Sequence, residues 1–399
     1  MQELIGYFPI VAILGPRQCG KTTLLRELGD SWSYYDLESS ADWDQISIDP
    51  ELFLRLNSEK VAIDEAQLMP ELFSALRIAV DNDRSKTGRY VITGSSSPDL
   101  IRGISESLAG RVGFIEMSPL LLSEISGSKM NSFYRIFEGD DSNECLKEVK
   151  GVVGDDVMQK FWMNGGYPEP WVKSSERFRK LWYGNYYKTY LERDIAKLFP
   201  GLSMEKYRLF IQLLAGLSGQ IINYSNVGRS LSVSSVTAKE YFEIAHNTYI
   251  WRTLRPYERN VQKRIVKHPK GYLRDTGLLH YLLRIADSRQ LLSHPMMGSS
   301  WEILVIEQIL RKLNSLGIDY NYYYYRTGNG AEVDLVLEGD FGIIPVEIKY
   351  KSGIKKNDLH SISEFRKEHE CAIGIVINND TKLRWYEEFI VGIPFSFIC

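Results

Sequence analysis

Apolar runs alternate with helical patterns in the first third of the chain, which predicts a parallel α/β sheet. The run "PIVAILG" is followed by "KTTLLREL", in which Leu24, Leu25 and Leu28 share one helical face. Two further apolar runs, "KVAIDEAQ" and "RYVITGSSS", each end in polar residues. Strands that alternate with helices favour a parallel sheet, because the crossover helices cover its faces. We therefore predict an N-terminal parallel-sheet domain.

The middle of the chain changes to helical patterns. After the turn "NGGYPEP", an aromatic helix is predicted to end before Pro200. Its charged cluster "ERD", residues 192–194, either forms an ion-pair network between domains or contributes to a nucleotide site. From Tyr207, three short helices precede a two-stranded wing, with Ser232 or Ser234 as the cap of the third helix. This spacing is typical of a winged helix-turn-helix.

The last third predicts a mixed sheet flanked by helices. Trp301, Leu304, Val305 and Ile309 form the inward face of a helix, and the aromatic strand "YNYYYYRT" follows it. The stretch "AEVDLVLEGDFGIIPVEIKY" supplies two more strands, before the helix "HSISEFRKEH" and the buried strand "CAIGIVIN". This order of elements resembles the core of PD-(D/E)xK nucleases.

Length and charge set the domain plan. A chain of 399 residues is too long for one core, since single hydrophobic cores stop growing at roughly 250–300 residues. We predict a parallel-sheet domain at 1–125, a helical lid or linker at 126–203, the winged helix at 204–288 and the nuclease-like domain at 289–399. A hydrophobic content of 44%, a charged content of 25% and a net charge of -3 are those of an ordinary soluble protein. Contact with nucleic acid would therefore need a local basic patch.

The cysteines and the hydropathy indicate a reducing, soluble environment. The four cysteines are widely spaced and form no CxxC pair, a pattern that favours neither a zinc site nor a disulfide framework. No apolar run approaches the roughly 20 residues of a membrane span, and the N-terminus lacks the features of a signal peptide. We expect a cytoplasmic protein with no membrane partner.

The turn between the first apolar run and its helix matches the phosphate-loop pattern G-x-x-x-x-G-K-[ST] in full. Chance would produce such a match in roughly one chain of this length in a hundred. Inward-facing N–H groups of the loop and the helix N-terminus suit a polyphosphate. Lys21 is expected on the β and γ phosphates and Thr22 on Mg²⁺. The candidate ATP-binding residues are Gly15, Pro16, Arg17, Gln18, Cys19, Gly20, Lys21, Thr22 and Thr23.

The ends of the next two runs supply candidate catalytic residues. Asp64 is placed to hold the water shell of Mg²⁺, and Glu65 to polarise an attacking water. Ser95 and Ser96 either bridge that water and the γ-phosphate or merely form a turn. Arg111 ends a predicted helix, and is either a finger that reaches the γ-phosphate of a neighbouring subunit or a surface arginine that caps its helix.

Several segments in order resemble the prokaryotic AAA-type ATPases that carry a C-terminal region named DUF4143. They are "GPRQCGKTTLL", "AIDEAQLMPELFSALRIAVD", "YVITGSSSPDL", "ESLAGRV", "GGYPEP", "YLERDI" and "KGYLRDTGLL". The resemblance spans nearly the whole chain and implies an ASCE-type phosphate-loop domain, with Lys21, Asp64 and Glu65 in the roles given above. Cys19 departs from the family pattern, in which valine is more usual, and modification of its thiol would inhibit ATP binding.

The nuclease-like third carries a second candidate site. Glu302, Asp334 and Glu347 are candidate ligands for a second Mg²⁺ or Mn²⁺, with Glu307 as a less favoured choice than Glu302. Lys349 shares a strand face with Glu347 and is placed to orient a water. The alternative is a retained fold in which the acids and the lysine form ordinary ion pairs.

The predicted wing, residues 251–274, is rich in basic side chains, with Glu258 as its one acid. Its arginines and lysines are Arg252, Arg255, Arg259, Lys263, Arg264, Lys267, Lys270 and Arg274. They indicate either a surface that contacts DNA phosphates or a protein-interaction module whose basic strands face an acidic neighbouring domain. Three functions stay open: an ATP-hydrolysing ATPase coupled to DNA binding, an ATP-gated nuclease, and a nucleotide-sensing scaffold that captures a protein partner. An oligomer fits each of them.

Overall fold

A computed structural model describes the chain except residues 96–103, 105, 129–130, 152, 174, 259–267 and 329, and except the side chains of residues 95 and 193. The described residues divide into two compact units. The first comprises Met1–Pro119, Asp194–Pro200 and Asn247–Tyr249. The second comprises Leu120–Arg193, Gly201–His246 and Ile250–Cys399.

The first unit contains a five-stranded sheet. Its strands are β1 Ile10–Gly15, β2 Ser33–Asp36, β3 Val61–Asp64, β4 Tyr90–Ser95 and β5 Val112–Glu116. Its helices include α1 Gln2–Tyr7, α2 Lys21–Arg26, α3 Ser40–Ser47, α4 Pro50–Leu56, α5 Glu71–Asp81 and the short segment Ile195–Leu198. The strand order is β2-β3-β4-β1-β5, and every neighbouring pair is parallel. The predicted parallel sheet is therefore confirmed.

The register of this sheet brings three polar strand ends to one edge. Gly15 pairs with Ser95, and Asp36 pairs with Asp64, so β1, β2, β3 and β4 end side by side. Apolar side chains pack on both faces, with Ile63 and Ile92 in one cluster and Val11 and Val91 in the other. Ligands of open α/β sheets bind at the carboxyl ends of the strands, which places the phosphate loop at the expected edge.

The second unit begins with helices. They are α6 Leu122–Ser126, α7 Ser142–Glu148, α8 Asp155–Asn164, α9 Pro168–Val172 and α10 Glu176–Tyr186. The predicted aromatic helix is α10, and it continues as a π-helix, Tyr187–Asp194, whose last residue belongs to the first unit. π-Helical segments are uncommon and occur often at functional sites.

Two of the family motifs meet in this unit. Asp275 accepts hydrogen bonds from the N–H of Gly166 (2.8 Å), the hydroxyl of Tyr183 (2.8 Å) and the N–H of Leu278 (2.9 Å). Gly165 has a φ of 73°, and a Cβ on it would lie 2.3 Å from an Asp275 oxygen. The "GGYPEP" and "LRDTGLL" segments are therefore packed against each other around one buried carboxylate.

Next come α11 Met204–Leu217, β6 Gln220–Ile221, α12 Tyr224–Leu231, α13 Ser235–Asn247, β7 Trp251–Pro256 and β8 Lys270–Leu273. The hydroxyl of Ser234 accepts a hydrogen bond from Thr237 N at 3.0 Å, so Ser234 is the predicted helix cap. β8 pairs antiparallel with both β6 and β7.

The remaining helices are α14 Thr276–Leu282, α15 Ser288–Ser293, α16 Met297–Leu316 and α17 His360–Glu368. The remaining strands are β9 Tyr320–Arg326, β10 Glu332–Gly339, β11 Gly342–Ile348, β12 Gly374–Asn378, β13 Arg384–Glu387 and β14 Ile390–Pro394. Within the described residues, no helix has the length and apolarity that crossing a membrane would require.

A single mixed sheet joins the middle and the last third of the chain. Its order is β13-β14-β12-β11-β10-β9-β7-β8-β6, and β7 pairs parallel with β9 through Arg255 and Tyr323. The strands predicted for a winged helix and those predicted for a nuclease-like domain are thus hydrogen-bonded to each other. The domain boundary between residues 288 and 289 stays a prediction. Strands from both sides of that boundary belong to the same sheet.

Candidate functional site

The phosphate loop connects β1 to α2 in a conformation that requires glycine. Gly20 has a φ of 110°, and Gln18 also lies in the left-handed region at 61°. A Cβ on Gly15 would lie 2.1 Å from the carbonyl oxygen of Met117, so no other residue fits there without movement. The loop pattern read from the sequence therefore has a steric basis at both of its glycines.

Lys21 is the buried cation of this loop. Its side chain is 6% exposed, and Nζ donates to the carbonyl oxygens of Gly15 at 3.0 Å and Pro16 at 2.9 Å. Both of these partners are neutral carbonyl groups, which do not balance the positive charge of Lys21. An anion that enters the loop would offer Lys21 stronger, charge-assisted hydrogen bonds.

Thr22 and Asp64 are brought together across 42 residues of sequence. The Thr22 hydroxyl Oγ1 donates to Asp64 Oδ2 at 2.6 Å. Asp64 is 2% exposed, and it also accepts hydrogen bonds from the hydroxyls of Tyr34 (3.1 Å) and Thr93. A hydroxyl and a carboxylate at this distance form a hard-oxygen pair of the kind that Mg²⁺ prefers beside a phosphate.

Glu65 follows Asp64 in a strained backbone conformation. Its φ of 55° lies in the left-handed region, which costs a non-glycine residue about 1–3 kcal/mol. Its N–H is shared between Asp64 Oδ1 at 3.2 Å and Thr93 Oγ1 at 3.4 Å, and Gln67 Nε2 donates to its carboxylate. Strain of this kind persists where the surroundings fix a side chain for a function.

Sequence reasoning missed Thr93 and Tyr34. Burial and the nearby charge of Asp64 raise the pKa of Tyr34 to about 12, so its phenol stays protonated and donates to that carboxylate. Thr93 lies within β4, two residues before the strand ends, and its hydroxyl donates to Asp64. The indication in the sequence was the hydroxyl of Thr93 within the apolar run "YVIT". The prediction used only the serines at the end of that run.

The two other catalytic candidates have different outcomes. Ser95 ends β4 beside Gly15, while its side chain and the whole of Ser96 lie outside the described residues. Arg111 pairs with Asp81 at 2.8 and 2.9 Å, and this hydrogen bonding lowers the pKa of Asp81 to about 2. Arg111 therefore has a partner in its own unit, and its role toward a neighbouring subunit stays a prediction.

The acids of the charged cluster at residues 192–194 pair with two different arginines. Asp194 Oδ2 lies 2.6 Å from Nη1 of Arg17, a phosphate-loop residue. Glu192 pairs instead with Arg208 at 3.0 Å within the second unit. Asp194 is thus a further residue that contacts the phosphate loop, although it lies far from the loop in sequence.

In the second unit, two of the four candidate nuclease residues, Glu302 and Asp334, lie around an unexpected lysine. Lys270 Nζ lies 2.6 Å from Glu302 Oε1, 3.0 Å from Glu332 Oε1 and 3.9 Å from Asp334 Oδ1. Next to them, Lys349 Nζ lies 2.5 Å from Glu347 Oε1. The structure therefore brings the predicted residues together and adds Lys270, which had been assigned to the wing.

Burial shapes the titration of this acidic centre. Burial raises the pKa of Glu302 to about 7, against the opposing pull of Lys270. Burial and the neighbouring Asp334 raise the pKa of Glu347 to about 8. Glu347 Oε2 is buried and has no hydrogen-bond partner among the described residues.

The fit to a metal is poor in this centre. Across the described ranges, no three His, Cys, Asp or Glu side chains are arranged to hold a metal ion. Asp334 Oδ2 accepts the N–H of Ile348 at 2.8 Å, and Asp334 Oδ1 faces Lys270. Both oxygens of Asp334 are therefore already engaged by the protein's own N–H and ammonium groups.

Glu307, the less favoured acid, belongs to a separate network. Its carboxylate is buried against Arg252, Arg274 and Arg311. Burial alone would raise the pKa of Glu307, but these three guanidinium groups hold it well below its usual range. Of the two acids on α16, Glu302 is the one that joins Asp334 through Lys270.

The basic wing needs a correction. Arg252, Lys270 and Arg274 are 3%, 3% and 7% exposed, and their partners are acids of α16 and β10. The expectation that these three contact DNA phosphates is wrong, because their charges are buried in ion pairs. Arg255 is exposed, and Arg259, Lys263, Arg264 and Lys267 lie outside the described residues.

Comparison with known proteins agrees with the phosphate-loop geometry. Three family models match the chain: "AAA domain" at residues 7–126, "Domain of unknown function (DUF8612)" at 155–289 and "Domain of unknown function (DUF4143)" at 297–398. Uncharacterized proteins of Mycobacterium bovis and Mycobacterium tuberculosis are each 36% identical over 332 residues, which is 83% of this chain and 68% of theirs. The chain belongs to the AAA-type P-loop ATPases with a C-terminal DUF4143 region.

Solved structures similar to this AAA-type ATPase are more distant. The Walker-type ATPase PABY2304 of Pyrococcus abyssi has a TM-score of 0.40 at 16% identity, and covers 71% of this chain and 93% of its own. A STAND signal-transduction ATPase with a tetratricopeptide-repeat sensor from Pyrococcus horikoshii has a TM-score of 0.26 at 13% identity, and covers 79% and 47%. Both scores are low, so the family assignment rests on the family models and the mycobacterial relatives.

The phosphate-loop site and the acidic centre lie in different matched regions of this AAA-type ATPase. Every residue predicted to bind ATP lies in the AAA domain match, together with Asp64 and Glu65. Glu302 and Glu347 lie in the DUF4143 match, whereas Lys270 lies in the DUF8612 match. The acidic centre is therefore built by two family regions together.

Proposed function

We propose that this AAA-type ATPase hydrolyses ATP at the shared edge of β1, β3 and β4. The observation that carries the proposal is the 2.6 Å contact between Thr22 Oγ1 and Asp64 Oδ2. The hydroxyl of the phosphate loop and the carboxylate at the end of β3 meet where ATP and its metal would need them. A loop retained only for folding has no reason to hold this pair in place.

The protein groups divide the chemistry among them. Thr22 and Asp64 would hold Mg²⁺, which when bound neutralises charge on the β and γ phosphates. Lys21 would exchange its carbonyl partners for phosphate oxygens. Glu65 would orient the attacking water and accept its proton.

Other side chains hold these groups in position. Tyr34 and Thr93 donate to Asp64 and hold its carboxylate in contact with Thr22. Gln67 holds the carboxylate of Glu65. For Arg111 to act on a neighbour's γ-phosphate, it would first have to leave Asp81.

A second proposal concerns the use of the middle region. We favour a protein-interaction module over a winged helix that binds DNA through its wing. The order of helices α11 to α13 and strands β6 to β8 supports a winged-helix arrangement. The supporting observation is that Arg252, Lys270 and Arg274 are turned toward acids of α16 and β10. DNA affinity that weakens steeply with added salt would contradict this preference, because phosphate contacts release counterions.

The ATPase proposal is tested by turnover of Mg-ATP in wild type, Lys21→Ala and Glu65→Gln. We expect Lys21→Ala to lose ATP binding and Glu65→Gln to bind ATP but lose turnover by about 100-fold or more, as removal of a catalytic acid–base group does. Lys86→Ala and Glu59→Gln change exposed residues of the same unit and serve as matched controls. Equal turnover in wild type and Glu65→Gln would refute the proposed mechanism.

A further inference from the structure

A lysine of the middle region is buried inside the acidic centre of the last third. Lys270 is 3% exposed, and its ammonium lies within 4 Å of three carboxylates, those of Glu302, Glu332 and Asp334. Burial of a lysine is costly unless acids compensate it, and here three do. The acids of this centre thus already have a cation, and it comes from the protein itself.

The position of Lys270 is fixed by its backbone. β8 lies between two strands, and Lys270 pairs with Ile221 of β6 on one side and Leu254 of β7 on the other. Its main chain is therefore held on both sides, and its ammonium is held by three carboxylates. An ammonium held in this way is part of the folded structure of the centre.

We infer that Lys270 takes the place that a divalent metal holds in nucleases of this fold, so the DUF4143 region does not cleave nucleic acid through Asp334 and Glu347. Three of the four oxygens of these two carboxylates face protein groups: Asp334 Oδ1 faces Lys270, Asp334 Oδ2 accepts Ile348 N–H, and Glu347 Oε1 faces Lys349. Mg²⁺ demands near-ideal octahedral coordination by oxygen. A single uncommitted oxygen, Glu347 Oε2, does not provide it.

Like-charge repulsion acts in the same direction. A metal bound by Glu302 and Asp334 would lie beside the ammonium of Lys270, in a region from which water is largely excluded. Charges repel each other more strongly in such surroundings than in bulk water. Entry of a metal would therefore require Lys270 to move away from three acids. Among the described residues, no other cation lies as close to these acids as Lys270 does.

The rival arrangement is a divalent ion held by Asp334 and Glu347 with Lys270 as a bystander. The two are separated by titrating Mn²⁺ into the nucleotide-free, full-length chain and measuring free Mn²⁺ by electron paramagnetic resonance. Four proteins are compared: wild type, Asp334→Asn, Lys270→Met and the double variant. The phosphate loop is unchanged in all four, so any weak binding there cancels.

We expect wild type and Asp334→Asn to bind the same number of Mn²⁺ ions. Lys270→Met, which keeps much of the side-chain volume but removes the charge, should gain one site at least tenfold tighter than any in wild type. The double variant should lose that site again. These results together would support Lys270 as the internal cation.

Two outcomes would overturn the inference. One is a wild-type Mn²⁺ site, or Mn²⁺-dependent cutting of DNA or RNA, that disappears in Asp334→Asn. The other is a folded Lys270→Met chain that gains no site, because then Lys270 was not what kept the metal out. If Lys270→Met does not fold, as judged by circular dichroism, wild type against Asp334→Asn decides alone: equal binding supports the inference, and a lost site contradicts it.

Discussion

Asp194 lies 177 residues beyond Arg17 in the sequence, yet its carboxylate is 2.6 Å from the guanidinium of that phosphate-loop residue. The loop is therefore restrained by a residue from the end of the π-helix. Arg17 is also within 3.8 Å of Glu38, an exposed acid. Two acids thus compete with an incoming phosphate for the same arginine.

The Asp194–Arg17 pair predicts a change in ATP affinity. In Asp194→Asn we expect the KM for ATP to change by up to about fivefold with kcat nearly unchanged, since partly exposed ion pairs contribute about 0.2–1 kcal/mol. Steady-state kinetics at several ATP concentrations measure both constants. Glu192→Gln, whose partner is Arg208, is the control, and an equal effect of both variants would indicate a general loss of structure.

Thr93 is predicted to support catalysis by holding Asp64 and Glu65. Thr93→Val keeps the shape but removes a donor to buried Asp64, a loss of about 1–3 kcal/mol that corresponds to a fall in kcat of roughly five- to 150-fold. Thr93→Ser restores the hydroxyl and should recover most of the activity. A Thr93→Val enzyme with normal kcat would show that this hydroxyl is not needed.

The left-handed backbone of Glu65 predicts a difference in stability between two inactive variants. Asparagine tolerates this conformation better than glutamine, so Glu65→Asn should be more stable than Glu65→Gln by about 1 kcal/mol. Both variants should lose turnover because both lack the carboxylate. Urea unfolding measures the difference, and equal stability would mean that the conformation carries no strain.

His280 predicts a loss of stability in mild acid. Its ring is buried between the carbonyl of Met163 and the hydroxyl of Ser300, and burial lowers the pKa of His280 to about 4. The unfolded chain binds the proton near pH 6.5, so stability is present above that pH. It falls as the pH drops from 6.5 toward 4, by up to about 3 kcal/mol.

The measurement for His280 is the free energy of unfolding as a function of pH. His280→Asn should show a shallower slope between pH 6.5 and 4 than wild type does. His360, which is exposed, provides the control variant His360→Asn with an unchanged slope. Identical slopes in all three proteins would remove His280 as the cause.

The meeting of two family motifs predicts a large cost at Gly165. Gly165→Ala would place a methyl group against Asp275 and would hold a non-glycine residue at a φ of 73°. We expect a loss of at least about 2 kcal/mol of stability, because both a clash and backbone strain are introduced. Gly154→Ala, where nothing lies within 4 Å of the added methyl group, is the matched control.

Local patterns were the basis for predicting the phosphate loop and the acids that follow β3. The phosphate loop is a short stretch in which residue type and backbone conformation are coupled, so Gly15, Lys21 and Thr22 could be assigned directly. Asp64 and Glu65 were recognisable because they end an apolar run. Each of these inferences depended on neighbours in the chain.

Partners distant in sequence explain what was missed. Nothing local connects Asp194 to Arg17, and nothing local connects Lys270 to Glu302. The number of basic residues in the wing does not show which of them are buried, and Arg252, Lys270 and Arg274 are. Strand alternation offered a clue, since Arg252 shares a face with buried Leu254.

The parallel pairing of β7 with β9 has a consequence for dissection of the chain. A fragment that ends near residue 288 would leave β7 as an open edge and would separate Arg252 and Lys270 from the acids that neutralise them. Such a fragment would be prone to aggregation rather than to independent folding. Limited proteolysis should accordingly not yield residues 204–288 as a stable fragment apart from residues 289–399.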